Sequence, residues 1–387
     1  MIMGEIMVNL KRKILIVFGT RPEAIKMTPL IKEFEKCSDF FQIKICVTAQ
    51  HREMLDQVLE FFDIKPDYDL NIMRAGQDLY DVTAKILLGM RDVINDCQPD
   101  IILVHGDTAT TVATAQASLY KKIPVAHIEA GLRTGNIYSP WPEEANRRLT
   151  TQISKYHFAP TQINRENLLN ENIAEENIIV TGNTVIDTLF LVLEKIDNNL
   201  SAQLFKKIQK LGYGLSDNKL VLITGHRREN FGEGFLNICS ALKDLAYRYP
   251  SVDFVYPVHL NPNVQKPVKK ILTGINNVYL INPLDYLPFI YLLNKSYLIL
   301  TDSGGVQEEA PSLGKPVIVM RDTTERPEAV EAGTVILVGT DKQKIVENVT
   351  KLLENELEYK KISYAHNPYG NGTASKKIVD FLREKLK

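Results

Sequence analysis

Three acidic residues are candidates for acid/base chemistry, and the first two end adjacent parallel strands, where a purely structural role is uncommon. Asp107 follows the apolar run Ile101–His105, and Glu129 follows Pro124–Ile128. Glu143 sits in the stiff segment Pro140-Trp141-Pro142-Glu143-Glu144-Ala145-Asn146-Arg147-Arg148. Carboxylates crowded into a closed cleft raise and separate one another's pKa values, which suits acid/base work. Competing readings stay open. Asp107, just before Thr108, can cap a helix, and Glu143 with Arg147, four apart on one helix face, can be a surface ion pair of little worth. The chain's single tryptophan, Trp141, sits in that loop and argues for a packed, positioned element. His226 can hold a proton or bind phosphate. His105, His127, His157 and His366 read as structural or exposed.

A second set of residues suits an anion. Ser303-Gly304-Gly305 precedes a helical pattern ending at Leu313. Small residues at a helix start let backbone N–H groups approach an anion, and the helix dipole favours negative charge there. The alternative is an ordinary Ser N-cap with Glu308 and Glu309 in the first turns. With Arg326 in the same half of the chain, a diphosphate site is the better reading, and Glu309 then suits a ribose diol. Gly19-Thr20-Arg21-Pro22-Glu23 is a strand-to-helix turn with Pro22 at N1. It offers Arg21 and Lys26 as cations, or is simply a turn with solvated charges. Pro29 predicts a kink in the helix that follows. No Gly-x-Gly-x-x-Gly follows a strand, Gly232-Glu233-Gly234 lacks the third glycine, and no Walker A motif is present. Both omissions disfavour nicotinamide oxidation and P-loop ATP chemistry.

These residues need a scaffold, and the apolar pattern predicts one. Short, continuous, β-branched runs alternate with amphipathic stretches, as strands buried on both faces do in parallel sheets. The first half holds Lys13–Phe18, Ile43–Thr48, Ile101–His105, Pro124–Ile128, Tyr156–Ala159 and Ile178–Thr181. The second holds Leu220–Thr224, Asp253–Val258, Val278–Ile281, Tyr297–Thr301, Pro316–Met320 and Thr334–Val338. Helical patterns such as Glu23–Lys36, Asp81–Ile94, Thr110–Tyr120 and Gly305–Leu313 lie between them. The fold class is therefore α/β, with two doubly wound, Rossmann-like domains facing a central cleft. A polar divide at Leu193–Asn218 reads as a helical connection plus linker. The domains are placed at 1–190 and 191–373, with a terminal helix, 374–387, crossing back to the first. Open α/β sheets bind ligands beyond the carboxyl ends of their strands, and the polar clusters sit at those ends.

The chain's 387 residues exceed the roughly 150 of a typical domain. With 46 Lys+Arg against 47 Asp+Glu the net charge is −1, which argues against a nucleic-acid-coating protein. No stretch reaches the roughly 20 apolar residues of a membrane span. Met1–Val8 reads as a short leader rather than a signal peptide. Cys37, Cys46, Cys97 and Cys239 are scattered without a CxxC pair, which predicts reduced thiols in a cytoplasmic protein and no zinc site.

Longer motifs then carry a resemblance. In the first half they are Gly19-Thr20-Arg21-Pro22-Glu23-Ala24-Ile25-Lys26, His105-Gly106-Asp107-Thr108, His127-Ile128-Glu129-Ala130-Gly131-Leu132-Arg133-Thr134, Pro140-Trp141-Pro142-Glu143-Glu144 with Asn146-Arg147, and Thr181-Gly182-Asn183-Thr184. In the second they are Thr224-Gly225-His226-Arg227-Arg228-Glu229-Asn230, Thr301-Asp302-Ser303-Gly304-Gly305 and Arg321-Asp322-Thr323-Thr324-Glu325-Arg326-Pro327-Glu328. From about Lys13 to Thr373 the chain resembles the non-hydrolysing UDP-N-acetylglucosamine 2-epimerases, which have the two-domain GT-B fold. The resemblance implies interconversion of UDP-N-acetylglucosamine and UDP-N-acetylmannosamine for surface polysaccharide precursors, through elimination of UDP to a 2-acetamidoglucal and re-addition. Inversion at C2 needs acid/base groups for two faces.

By that resemblance Asp107, Glu129 and Glu143 look like the acid/base carboxylates, and His226 like the group that steadies the leaving diphosphate or moves a proton. Arg21, Ser303, Gly304, Gly305 and Arg326 look like the phosphate site, Glu309 the ribose ligand and Phe289 the uracil neighbour. Lys26 and Arg147 support charge at the sugar end. A homodimer is implied, and no metal, cofactor or nucleic-acid partner. Some bacterial members carry a regulatory substrate site, whose matching positions include Gln50, Arg227 and His259, although Glu53 stands where some of those members have Gln. The rival readings are a hydrolysing epimerase, a GT-B glycosyltransferase and a non-catalytic nucleotide-sugar binder.

Overall fold

The computed structural model describes residues 11–387, without 50, 51, 75 and 197 and without the side chains of 52–54 and 198. The leader expected at Met1–Val8 and the regulatory candidate Gln50 fall outside the described residues. The chain forms two compact units, Met1–Thr188 with Tyr369–Lys387, and Leu189–Pro368.

Each apolar run becomes a strand. The first unit holds β1 (Arg12–Phe18), β2 (Phe41–Val47), β3 (Tyr68–Asp69), β4 (Ile101–His105), β5 (Val125–Ile128), β6 (Tyr156–Ala159) and β7 (Ile178–Val180). They lie in the order β3-β2-β1-β4-β5-β6-β7, every pair parallel. The second unit holds β8 (Lys219–Thr224), β9 (Val252–Pro257), β10 (Val278–Ile281), β11 (Leu298–Thr301), β12 (Val317–Val319) and β13 (Val335–Leu337). Their order is β10-β9-β8-β11-β12-β13, again parallel. The strand missed in the sequence is β3, whose two residues carry no apolar run. Central strands such as β4 are buried along their whole length, as strands sandwiched between helix layers must be.

In both sheets the order reverses between two central neighbours, β1 and β4 in one and β8 and β11 in the other. The connections leaving those two strands depart to opposite sides, which opens a crevice at their carboxyl ends. Gly19-Thr20 follows β1 and Gly106-Asp107 follows β4. Gly225-His226-Arg227 follows β8 and Asp302-Ser303-Gly304 follows β11.

Two local expectations need adjusting, those for Pro22 and for Gly305–Leu313. The first helix, Arg21–Lys36, is capped by Thr20, so Pro22 is its second residue rather than its first, and Glu23 completes a capping box. The helix also runs on through Pro29. Proline cannot donate to the carbonyl four residues back. That carbonyl, Ile25 O, instead accepts the Thr188 hydroxyl at 2.6 Å. The pattern over Gly305–Leu313 resolves into a short α-helix, Gly304–Glu309, followed by a 3₁₀ turn, Ala310–Leu313.

The divide consists of the end of helix Thr184–Lys195, helix Asn198–Lys210 and a loop. Asp253 fastens that loop by accepting from the Tyr213 hydroxyl (3.1 Å), Ser216 Oγ (2.6 Å) and Asn218 Nδ2 (3.0 Å). Helix Ala374–Lys385 returns to the first unit and lies against helix Arg21–Lys36. The return is tied down at three points. Asn183 N–H donates to Tyr369 O at 2.7 Å, the Asp187 carboxylate accepts Ala374 and Ser375 N–H, and Phe381 sets its edge against Tyr156 and Phe158. Among the described residues no helix is long and apolar enough to cross a membrane, and no cluster of three His, Cys, Asp or Glu is disposed to hold a metal ion.

Candidate active site

At the first unit's switch point the strand ends bring Asp107 and Glu129 together. A Cβ on Gly106 would stand 3.4 Å from Glu129 Oε2, and the Glu129 charge acts on Asp107. Asp107 does not cap the next helix. Thr108 does, accepting Thr111 N–H, which leaves the Asp107 carboxylate to pair with Arg147. Burial raises the Asp107 pKa above the usual carboxylate value, and the neighbouring Glu129 charge adds to this, while Arg147 and Lys26 oppose it. A raised pKa on a buried carboxyl with a charged partner marks Asp107 as an acid/base candidate.

Glu129 pairs with Lys26 and accepts Asn183 Nδ2 at 2.9 Å. Its backbone sits at φ 62°, a left-handed conformation that costs a non-glycine residue energy. That backbone turns the carboxylate back over the end of β4, where His105 Nε2 lies 3.9 Å from Glu129 Oε2. His105 is fully buried, and desolvation drops its pKa to about 4, so at neutral pH it is an uncharged neighbour.

Glu143 opens helix Glu143–Ile153, one turn ahead of Arg147, and its Oε2 is buried without a hydrogen-bond partner. Arg147 reaches Asp107 and the fully buried Glu144 (3.2 Å) rather than forming the Glu143 pair read from the sequence. Glu144 also takes Arg148 at 3.0 Å and Thr134 N–H at 3.1 Å. Asn146 Nδ2 donates to Asp107 O at 2.8 Å, so this helix and the β4 end are joined twice. Arg21 occupies the first turn of its helix, roughly 140° around the axis from Lys26, so the two cations do not share a face. Trp141 itself is 61% exposed, so the positioning of this element comes from the Arg147 and Asn146 contacts rather than from the indole. Loop stiffness here comes from Pro140 and Pro142, which need no indole contact.

The second unit gathers the anion-binding candidates. Ser303 occupies the N-cap position of helix Gly304–Glu309, yet its side chain makes no capping bond. A Cβ on Gly304 would lie 3.8 Å from the Arg326 guanidinium carbon, and one on Gly305 would lie 4.0 Å from Glu309 Oε2. Arg326 pairs with the buried Glu308, a partner the sequence did not suggest. Tyr286 donates to Glu309 Oε1 at 3.1 Å, and Phe289 lies one turn along the same helix, Tyr286–Lys295. Arg321 bridges Glu229 (2.5 Å) and Glu325 (3.4 Å) beside them. His226 stacks on His259 with ring centroids 5.1 Å apart, and Arg227 Nε donates to Asp302 O at 3.3 Å.

The structure therefore groups Asp107, Glu129, Lys26 and Arg147, with Glu143 on the adjoining helix. Separately it groups Ser303, Gly304, Gly305, Glu309, Arg326 and Phe289, and sets His226, Arg227 and His259 at the ends of neighbouring strands. Sequence reading gave no role to Asn183, Glu144 and Asp302, and it read His105 as structural or exposed, of which the structure shows the buried form. Asn183 and Asp302 each follow a strand, the same signal that picked out Asp107. Glu144 is spaced three and four residues from two arginines.

Comparison with known proteins agrees with this chemistry. A family model described as UDP-N-acetylglucosamine 2-epimerase matches residues 32–383. The Campylobacter jejuni UDP-N-acetylglucosamine 2-epimerase is 60% identical over 96% of this chain and 97% of its own. The Escherichia coli K12 enzyme of the same name is 58% identical over 96% and 98%. The crystal structure of the Neisseria meningitidis enzyme bound to UDP-GlcNAc superposes with a TM-score of 0.86 at 56% identity, covering 96% of this chain and all (100%) of that one. Matches of this length and identity, on a fold with the same two parallel sheets, make the chain a member of the UDP-N-acetylglucosamine 2-epimerase family.

Proposed function

We propose that the chain is the non-hydrolysing form of this epimerase. It interconverts UDP-N-acetylglucosamine and UDP-N-acetylmannosamine, keeping UDP bound through the reaction. The C2 hydrogen is not next to a carbonyl, so simple deprotonation is prohibitive. Elimination avoids that difficulty. A carboxylate takes the C2 proton, the C1–O bond breaks, and UDP leaves with the bonding electrons to give the 2-acetamidoglucal. UDP oxygen then re-forms the C1–O bond while a second acid delivers a proton to the opposite face of C2.

The observation that carries this reading is the neighbouring pair Asp107 and Glu129. Each is buried beside a cation, and together they supply two proton-handling groups. Glu143, with its unpartnered buried oxygen, is the third candidate. Lys26 and Arg147 hold charge near the sugar. Arg21, Ser303, Gly304, Gly305, Arg326 and His226 hold the diphosphate. Glu309 receives the ribose, with Phe289 beside the uracil. In this reading the enzyme is a cytoplasmic homodimer, and Gln50, Arg227 and His259 belong to a regulatory substrate site, which a sigmoidal rate curve turned hyperbolic by Gln50→Ala would support.

The test is proton NMR of the reaction in D₂O. Deuterium enters C2 of a sugar that stays linked to UDP. Accumulation of free N-acetylmannosamine would instead assign the hydrolysing reaction, and absence of C2 exchange would remove the epimerase mechanism.

A further inference from the structure

Asp302 follows β11 and is fully buried, and the proposed reaction assigns it no role. Its Oδ2 accepts both the His226 and the Arg227 backbone N–H at 2.8 Å, and Asn230 Nδ2 approaches the same oxygen at 3.4 Å. Its Oδ1 has no hydrogen-bond partner and lies 3.8 Å from His226 Nδ1. A buried carboxylate oxygen left without a donor is costly unless something moves to meet it. The imidazole is the donor within reach, and it is 46% exposed on its other side. Gly225 lets the loop come this close, since a Cβ there would stand 3.1 Å from the Tyr256 hydroxyl, which itself donates to Gly225 O.

We propose that Asp302 is the positioning residue for His226: Oδ2 fixes the loop, while Oδ1 accepts Nδ1–H of the imidazolium, so that Nε2–H is presented to the anionic part of the nucleotide. The proposal rests on the reading of His226 as a diphosphate-facing group. The charged and titratable groups around the pair are Arg227 on the same loop, His259 stacked on the ring from the end of β9, and Tyr256 beneath Gly225. Burial, His259 and Arg227 disfavour the protonated imidazole, and Asp302 is the one neighbour that favours it.

Asp302→Asn keeps an oxygen for the two backbone donors but removes the charge that favours the imidazolium and turns an amide donor toward Nδ1, which then can only accept. Two measurements on the full chain test this. Long-range ¹H–¹⁵N spectra should show neutral His226 protonated at Nδ1 in the wild type and at Nε2 in Asp302→Asn; an Nε2-protonated wild type would overturn the proposal. UDP affinity by calorimetry should fall roughly tenfold in Asp302→Asn, with its pH dependence displaced to lower pH. His226→Asn should show a similar loss, and the double variant no further one. Additive losses would make Asp302 merely structural. Unchanged UDP affinity in His226→Asn would remove the diphosphate role of His226, and the proposal with it.

Discussion

The two sheets share one order over six strands, the first adding a seventh at its edge, and place polar residues at equivalent switch points, yet they use their acids in opposite ways. In the first unit Asp107 and Glu129 meet cationic side chains, Arg147 and Lys26. In the second, the acid at the equivalent strand end, Asp302, is engaged by backbone N–H groups and holds a loop in shape. Around it lie a glycine-led turn, Arg326 and two histidines. In the proposed reading the first unit supplies the acid/base carboxylates and the second the donors for a fixed negative charge. Topology decides where the chemistry sits, while the residue after each strand decides what it is.

Removing the proton-handling groups should give the largest effect and the cleanest separation of the units. Asp107→Asn and Glu129→Gln should each lower kcat by roughly 10³-fold. Calorimetric UDP affinity should stay within about threefold of wild type; a parallel collapse of UDP binding would erase the proposed division of labour. The reverse experiment acts on the second unit. Arg326→Lys keeps a charge for the buried Glu308 but loses the planar fork. UDP affinity should drop on the order of tenfold, while C2 exchange at saturating substrate changes less. A variant that binds UDP normally would move the phosphate site elsewhere.

A smaller contrast lies in acid sensitivity. His105, His127 and His157 lie in the first unit, and burial lowers their pKa values to about 4, 3 and 4. The unfolded chain takes up protons near pH 6.5, whereas the folded unit refuses them until about pH 4. Stability is therefore complete above pH 6.5 and is lost as pH falls through that window. At pH 5 the cost is at most about 2 kcal/mol for each histidine. Calorimetry at pH 7 and pH 5, with UDP added to mark the second unit by its upward shift, should show the other transition falling further on acidification. Equal falls would mean that the buried imidazoles do not govern acid stability.

Much of this was legible in the sequence. Continuous β-branched runs need burial on both faces, so twelve strands and the α/β class followed from pattern alone. β3 escaped because Tyr68–Asp69 offers two residues and no run. Asp107, Glu129 and Ser303 stood out because each follows such a run. What stayed hidden depends on neighbours brought together by folding. The Asn183 amide reaches Glu129 across 54 positions of sequence, and Asp302 reaches His226 across 76. Glu144 was overlooked beside Glu143 because helical spacing allows either acid to face Arg147, and only packing chooses. Trp141 pointed to a positioned element, yet the indole is exposed and the contacts that position it come from Asn146 and Arg147.

The chain leaves the first unit at Thr188 and comes back to it at Tyr369, so the second unit is an insertion in the sequence of the first. On the ribosome, the whole insertion is synthesised before the segment that finishes its host. Asn183 receives that late segment through its backbone and holds Glu129 through its side chain. The amide that holds Glu129 is thus anchored only once the second connection has docked, and a nascent chain halted before Tyr369 carries every residue of the second unit but lacks the segment that completes the first.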